Sequence, residues 1–87
     1  MIRIVVLDKS FVSVGVYTQG TDWCSLENAA VIRRWGTSRG LGQLAEDGPT
    51  PQTILDKTPK QTFPVHSIVK TIDCVTEKWA SVLGVGL

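Results

Sequence analysis

Cysteine and histidine are scarce in this 87-residue chain: only Cys24, Cys74 and His66 are present. Two cysteines so far apart do not make the disulfide framework of a small secreted domain, which normally carries four or more. A lone histidine and no CxxC spacing leave no ligand set for zinc, so no metal is expected. Charge of one sign is lacking too. Nine Lys and Arg against eight Asp and Glu give a formal charge of +1, which excludes binding of duplex nucleic acid by bulk electrostatics. Long hydrophobic runs are missing as well. The opening Met1–Asp8 is far shorter than a signal sequence or the roughly 20 residues of a spanning helix. The protein is therefore expected to be cytoplasmic, unprocessed and without a membrane partner.

Catalytic signatures are absent in the same way. There is no GxSxG elbow, no phosphate-binding Walker loop and no HExxH pair. Gly40-Leu41-Gly42 has neither the third glycine nor the strand–helix–strand setting of a dinucleotide fingerprint. No catalytic residue is assigned, the protein is read as non-enzymatic, and no cofactor is expected.

What is present describes a folded domain. The chain is 43% hydrophobic and 20% charged, a globular composition, and its length allows one domain spanning residues 1–87. Ile2–Leu7 is apolar and β-branched, and Phe11–Gln19 alternates with period two. Joined through Asp8-Lys9-Ser10, the two predict an antiparallel hairpin. Gly15 within the second run predicts a bulge or a close neighbour. Trp23–Asn28 predicts a third strand. Val31–Trp35 suits helix and strand alike and is assigned as a strand that Gly36 stops.

Thr37 and Ser38 can cap a helix running to Asp47, with Leu41, Leu44 and Ala45 as its apolar stripe. Pro49, Pro51 and Pro59 predict a long surface loop over 49–62, followed by an edge segment at Gln61–Val65. In Ile68–Val75, a final strand, Lys70 shares the phase of Ile68, Ile72 and Cys74. A helix over Glu77–Leu83 follows, capped by Thr76. The expected fold is α+β: a small, mainly antiparallel sheet of four or five strands, two short helices and a long Pro-rich loop.

The densest candidate site is Arg33-Arg34-Trp35 followed by Thr37-Ser38-Arg39-Gly40. Guanidinium groups bind phosphate bidentately, an indole stacks on a base, and a glycine at a helix start lets a ligand approach the backbone. As a ligand site, Arg33, Arg34 and Arg39 would hold phosphate, Trp35 would stack, and Thr37, Ser38 and Gly40 would supply hydrogen bonds. The competing assignment puts Trp35 in the core and pairs the arginines with Glu27, Glu46 and Asp47. Trp79 belongs to the core or to a subunit interface. The chain stays apolar through Val85 and Leu87, so Trp79, Val85 and Leu87 are the candidate interface of a homo-oligomer.

The run from Asn28 to Gly48, with Arg33-Arg34-Trp35-Gly36-Thr37-Ser38 at its centre, resembles a family of small, mostly uncharacterised bacteriophage and prophage proteins. Their middle segment reads approximately DARRhWRWxGAxSLxELAxxG. Phe63–Cys74 is similar to that family's VPVxxIhLxxhxEIIPC segment. Arg33 stands where the family has an aromatic, and Gly42-Gln43 replaces a polar residue and Glu. The resemblance implies a phage protein acting in the host cytoplasm. Small phage proteins of this kind bind host components, and some oligomerise to sequester nucleotide signals. The function expected on that basis is a homo-oligomeric binding protein that takes up a phosphorylated small molecule, a cyclic nucleotide, to counter antiphage defence. The alternative is a protein–protein interaction module that inhibits a host enzyme or serves in phage assembly.

Overall fold

The computed structural model describes residues 1–85, so Leu87 lies outside the described residues. The fold is α+β, an antiparallel sheet of six strands with two helices. The expected hairpin is its centre. β1 (Ile2–Leu7) and β2 (Val12–Gln19) are joined by a 3-10 turn over Asp8–Ser10 and pair from Ile2 opposite Val16 to Val6 opposite Val12. β3 (Trp23–Arg34) lies on the other side of β2 as one twelve-residue strand rather than two.

The bulge that makes this continuity possible is visible in the register. Val14 faces Ala30 and Val16 faces Glu27, so β3 carries one residue more than β2 over that stretch. The surplus falls at Asn28, whose φ of 49° is left-handed, a conformation asparagine tolerates better than most residues. Opposite the bulge sits Gly15. A Cβ there would lie 2.9 Å from the Glu27 carbonyl oxygen and 3.2 Å from the Ala29 Cα, so only glycine fits.

The segment after β3 differs from expectation. α1 runs over Gly40–Asp47. The Pro-rich stretch then holds a strand of its own, β4 (Ile54–Lys57), so the described residues form six strands rather than four or five, with no uninterrupted loop over 49–62. Pro51 and Pro59 lie outside β4 instead of interrupting it, which leaves its backbone free to pair with Ala30–Arg34. β5 (Gln61–Pro64) pairs with the first half of the same β3, Trp23–Leu26. A 3-10 turn at Val65–Ser67 leads to β6 (Ile68–Asp73), which pairs with β1, and α2 (Thr76–Leu83) follows.

This connection bends the sheet. In the order β5-β3-β2-β1-β6, the outer strands of a flat sheet would stand about 19 Å apart at about 4.8 Å per step. A 3-10 connection the length of Val65–Ser67 advances less than about 10 Å. The sheet therefore curls, and inside the curl Val5, Cys24, Leu26, Ala29 and Phe63 form a small core. The opposite face carries the larger core, in which Ile2, Ile4, Val14, Ala30 and Ile32 meet Leu41, Leu44 and Ala45 of α1 and Trp79, Ala80 and Leu83 of α2. The Asn28 bulge moves β3 from one core to the other, because one inserted residue reverses the side on which every later side chain points.

Trp79 corrects an expectation. It is 0% exposed, with its Nε1 donating to the Leu44 and Ala45 carbonyls at 3.2 and 3.3 Å. An indole that closes the last turn of α1 within its own protomer offers no surface to a neighbour. Val85 packs, partly buried, on the same core. No helix among the described residues is long and apolar enough to cross a membrane.

Candidate functional site

At one end of the larger core the cover is incomplete. β3 leaves the sheet at Arg34, the chain turns at Gly36, and α1 begins at Gly40. Gly36 has a φ of 68°, and a Cβ on it would collide with the Gln52–Thr53 backbone at 2.5 Å. The corner is tied down by the Pro-rich segment. Thr53 Oγ1 donates to the Trp35 carbonyl and Thr50 Oγ1 to the Gly36 carbonyl, both at 2.7 Å. Between this corner, α1 and the ends of β1, β2 and β6 lies a cleft of about 380 Å³, lined by Val6, Val12, Ile32, Arg33, Trp35, Leu41 and Lys70.

The chemistry of the lining is divided. Val6, Val12, Ile32 and Leu41 form an apolar floor, and Trp35 stands at its side, 43% exposed. Gly40 faces the indole: a Cβ on it would lie 4.0 Å from the Trp35 ring. Two cationic residues, Arg33 and Lys70, complete the lining, and among the described residues no carboxylate lines it. Arg33 borders the cleft at a second bulge, since Ile32 faces Leu55 while Arg34 already faces Ile54. Such a bulge re-aims the side chain it carries. Its guanidinium is bound by Asp56 of β4, the register partner of Val31, with Nε to Oδ2 at 2.8 Å and Nη2 to Oδ1 at 3.2 Å. Lys70 has no ion-pair partner among the described residues.

Of the residues singled out in the sequence, Arg33 and Trp35 are brought together, with Gly40 beside the indole. Arg34 is exposed and does not line the cleft. Thr37, Ser38 and Arg39 serve the start of α1 instead. Thr37 Oγ1 donates to the Gly40 carbonyl at 2.8 Å, and the Arg39 N–H and Ser38 Oγ donate to Gln43 Oε1 at 2.8 and 3.4 Å. The helix thus covers one of its own free amides with Gln43 rather than presenting it to an anion. The Arg39 side chain lies 4.0 Å from Asp47. The pairing partners proposed from sequence hold for Arg39, while Arg33 takes Asp56.

Lys70 was missed, although a signal for it existed. A lysine in phase with an apolar stripe is out of place on a buried face unless it reaches an opening. The stripe itself changes sides. Val6 faces Lys70 and Leu7 faces Ile68, so Val69 is surplus, and Ile68 joins the inner core while Lys70 and Ile72 stay on the helix side.

A second hollow, of about 680 Å³, lies at the other end of β2 among Thr21, Asp22, Trp23, Pro64, Val65 and His66. Trp23 is 57% exposed there. Inside the curl, Tyr17 Oη hydrogen-bonds with Cys24 Sγ at 3.1 Å and Arg3 stacks over its ring at 5.1 Å. Arg3 Nε also lies 2.9 Å from Asp73, an ionic contact whose N–H does not point at the oxygen. Burial, with help from the Cys24 hydrogen bond, pushes the Tyr17 phenol up to about 12. Among the described residues no group of three His, Cys, Asp or Glu side chains could hold a metal ion. Neither protein-family models, nor curated proteins, nor solved structures provide a match to this chain.

Proposed function

We propose that this chain is a non-catalytic binding protein whose ligand is a phosphorylated small molecule of the nucleotide class, held in the cleft between α1 and the sheet. The observation that carries the reading is the joint presence on that cleft of Arg33, Lys70 and Trp35 over an apolar floor. Two cations suit a phosphate and an indole suits a base. The apolar floor removes water from both contacts and strengthens them. Taken with the resemblance of residues 28–48 to phage and prophage proteins, the role is capture: the protein lowers the free concentration of a cyclic nucleotide signal of host defence. A homo-oligomer belongs to the same reading. Phe11 and Val69, 63% and 64% exposed, adjoin Val12 and Lys70 of the cleft in sequence, and a second copy would cover them.

Isothermal titration with 3′,5′-cyclic AMP, a cyclic dinucleotide and inorganic phosphate tests the assignment, with subunit number read by native mass spectrometry. Arg33→Ala, Lys70→Ala and Trp35→Ala should each weaken nucleotide binding by about tenfold or more, the loss expected for a charge-assisted hydrogen bond or one stacked base. Unchanged affinity in the folded variants refutes it. One observation favours a protein partner instead, namely the exposed Trp23 in the hollow beside Pro64 and His66. That reading gains if nucleotides give no heat while Trp23→Ala abolishes a stoichiometric host-protein complex.

A further inference from the structure

The sheet leaves an edge open along β6, and the hydrogen bonds around it fix which way each backbone group points. The Cys74 N–H donates to the Ile2 carbonyl at 3.0 Å. β6 pairs with β1 in that same register, Asp73 opposite Arg3 and Thr71 opposite Val5. Bonded and non-bonded pairs alternate along an antiparallel ladder, so Lys70 and Ile72 aim their amides at β1 while Thr71 and Asp73 aim theirs outward. Beyond them the Val75 N–H, outward again, donates to the Ala45 carbonyl of α1 at 3.0 Å. On the outward side neither Thr71 nor Asp73 has a backbone partner among the described residues. The other outer strands are guarded. β5 ends on Pro64, and β4 is four residues long with Pro51 and Pro59 on either side. Shortness and proline both keep an edge from pairing. β6 has no proline, and its one lysine lines the cleft.

We propose that β6 is the interface of the homo-oligomer, pairing antiparallel with β6 of a second copy about a twofold axis at Thr71. The inference rests on the homo-oligomer of the reading above and supplies its interface, independently of the ligand. An identical strand matches this edge in length, and a twofold axis sets the outward N–H groups of one copy against the outward carbonyls of the other. α1 closes the edge at Val75, and the bulge at Val69 ends the regular stretch on the other side. The midpoint of the open positions 69–73 is Thr71. With the axis there, each Thr71 faces the partner's Thr71 and each Lys70 faces the partner's Ile72, so no like charges stand directly opposite. The axis is normal to the sheet and preserves its faces, which leaves the helices of both copies on one side. The two Lys70 residues take the diagonal position, about 7–8 Å apart, and each stands beside the lysine that lines the other copy's cleft. Their repulsion across water is weak, and an anion in either cleft offsets it.

Thr71→Pro tests the interface, because the Thr71 N–H points outward and proline there removes no bond to β1. Native mass spectrometry and sedimentation should report a dimer for the wild type and loss of that dimer in Thr71→Pro, with circular dichroism melts showing both proteins folded. Amide hydrogen exchange on the wild type gives a readout that does not depend on the variant folding. In the dimer the Thr71 and Asp73 amides should exchange as slowly as those of Lys70 and Ile72, which bond to β1. A folded Thr71→Pro protein that stays dimeric overturns the interface and leaves the homo-oligomer standing, as does a wild-type dimer in which those two amides exchange freely. A wild-type protein that stays monomeric overturns the interface and the homo-oligomer together, while nucleotide binding is decided by its own titration.

Discussion

Two glycine-to-alanine substitutions should move the stability of this protein in opposite directions, and their size follows from the structure. A methyl group at Gly15 would lie 2.9 Å from the Glu27 carbonyl oxygen, 3.1 Å from the Leu26 Cβ and 3.2 Å from the Ala29 Cα. These atoms belong to the bulged backbone of β3 or sit directly on it, in the middle of the sheet, and they cannot swing aside as a side-chain tip would. Overpacking of this kind costs about 1–3 kcal/mol, and the rigidity of the neighbours puts Gly15→Ala at about 2–3 kcal/mol. Gly42 is the control. It lies inside α1 with nothing within 4 Å of an added Cβ, so alanine there removes unfolded-state freedom and gains about 0.5–1 kcal/mol.

With an unfolding entropy of about 2.1 cal/mol/K per residue, 1 kcal/mol corresponds to about 5–6 °C in a chain of this size. Thermal unfolding followed by circular dichroism should therefore show Gly15→Ala about 10–17 °C below the wild type and Gly42→Ala about 3–6 °C above it. Shifts of the same sign, or a Gly15→Ala protein within about 3 °C of the wild type, would refute the account of the β3 bulge.

Replacing Trp79 by Phe keeps most of the buried ring but leaves the Leu44 and Ala45 carbonyls without their indole donor. Urea unfolding should report a loss of about 1–3 kcal/mol with an unchanged m-value. The pH dependence has a definite sign as well. Burial, with a smaller contribution from the Asp73 charge, pushes the Cys74 thiol from 9.0 up to about 12, and the Tyr17 phenol rises from 10.0 to about 12. Both groups hold their protons more tightly when folded, so their contribution is complete below pH 9 and is lost as pH rises towards 12. Denaturant midpoints measured from pH 8 to 11 should fall over that interval, and Cys74→Ala should flatten the first part of the decline.

Much of this fold was legible because its signals are local. An apolar β-branched run marked β1, period-two alternation marked β2, and the glycine within β2 sits opposite the bulge. The apolar stripes Leu41, Leu44, Ala45 and Trp79, Leu83 marked the helices. β4 was hidden because Ile54–Lys57 is too short to show a pattern, and the flanking prolines suggest a loop until the unpaired edge of β3 is available to it. The site divides in the same way. Arg33 and Trp35 both border the cleft, but the surplus residue at Arg33 breaks the alternation between them, so the spacing that suggested a common side was not what brought them together. Thr37, Ser38 and Arg39 were assigned to a ligand on composition, whereas the turn into α1 uses them for itself.

By itself, the sequence determined most of the elements and the alternation within their regular stretches, because alternation and helical spacing depend only on neighbours along the chain. It could not determine which strands meet. Pairing depends on where a free edge finds another, and a surplus residue at Asn28, Arg33 or Val69 reverses the side of everything beyond it. Only the tertiary structure lets one long strand serve both β4 and β5, curls the sheet through Val65–Ser67, and carries Lys70 from the far edge to stand with Arg33 and Trp35. That meeting of distant residues at a gap in the core is what turns an arginine–tryptophan pair into a cleft.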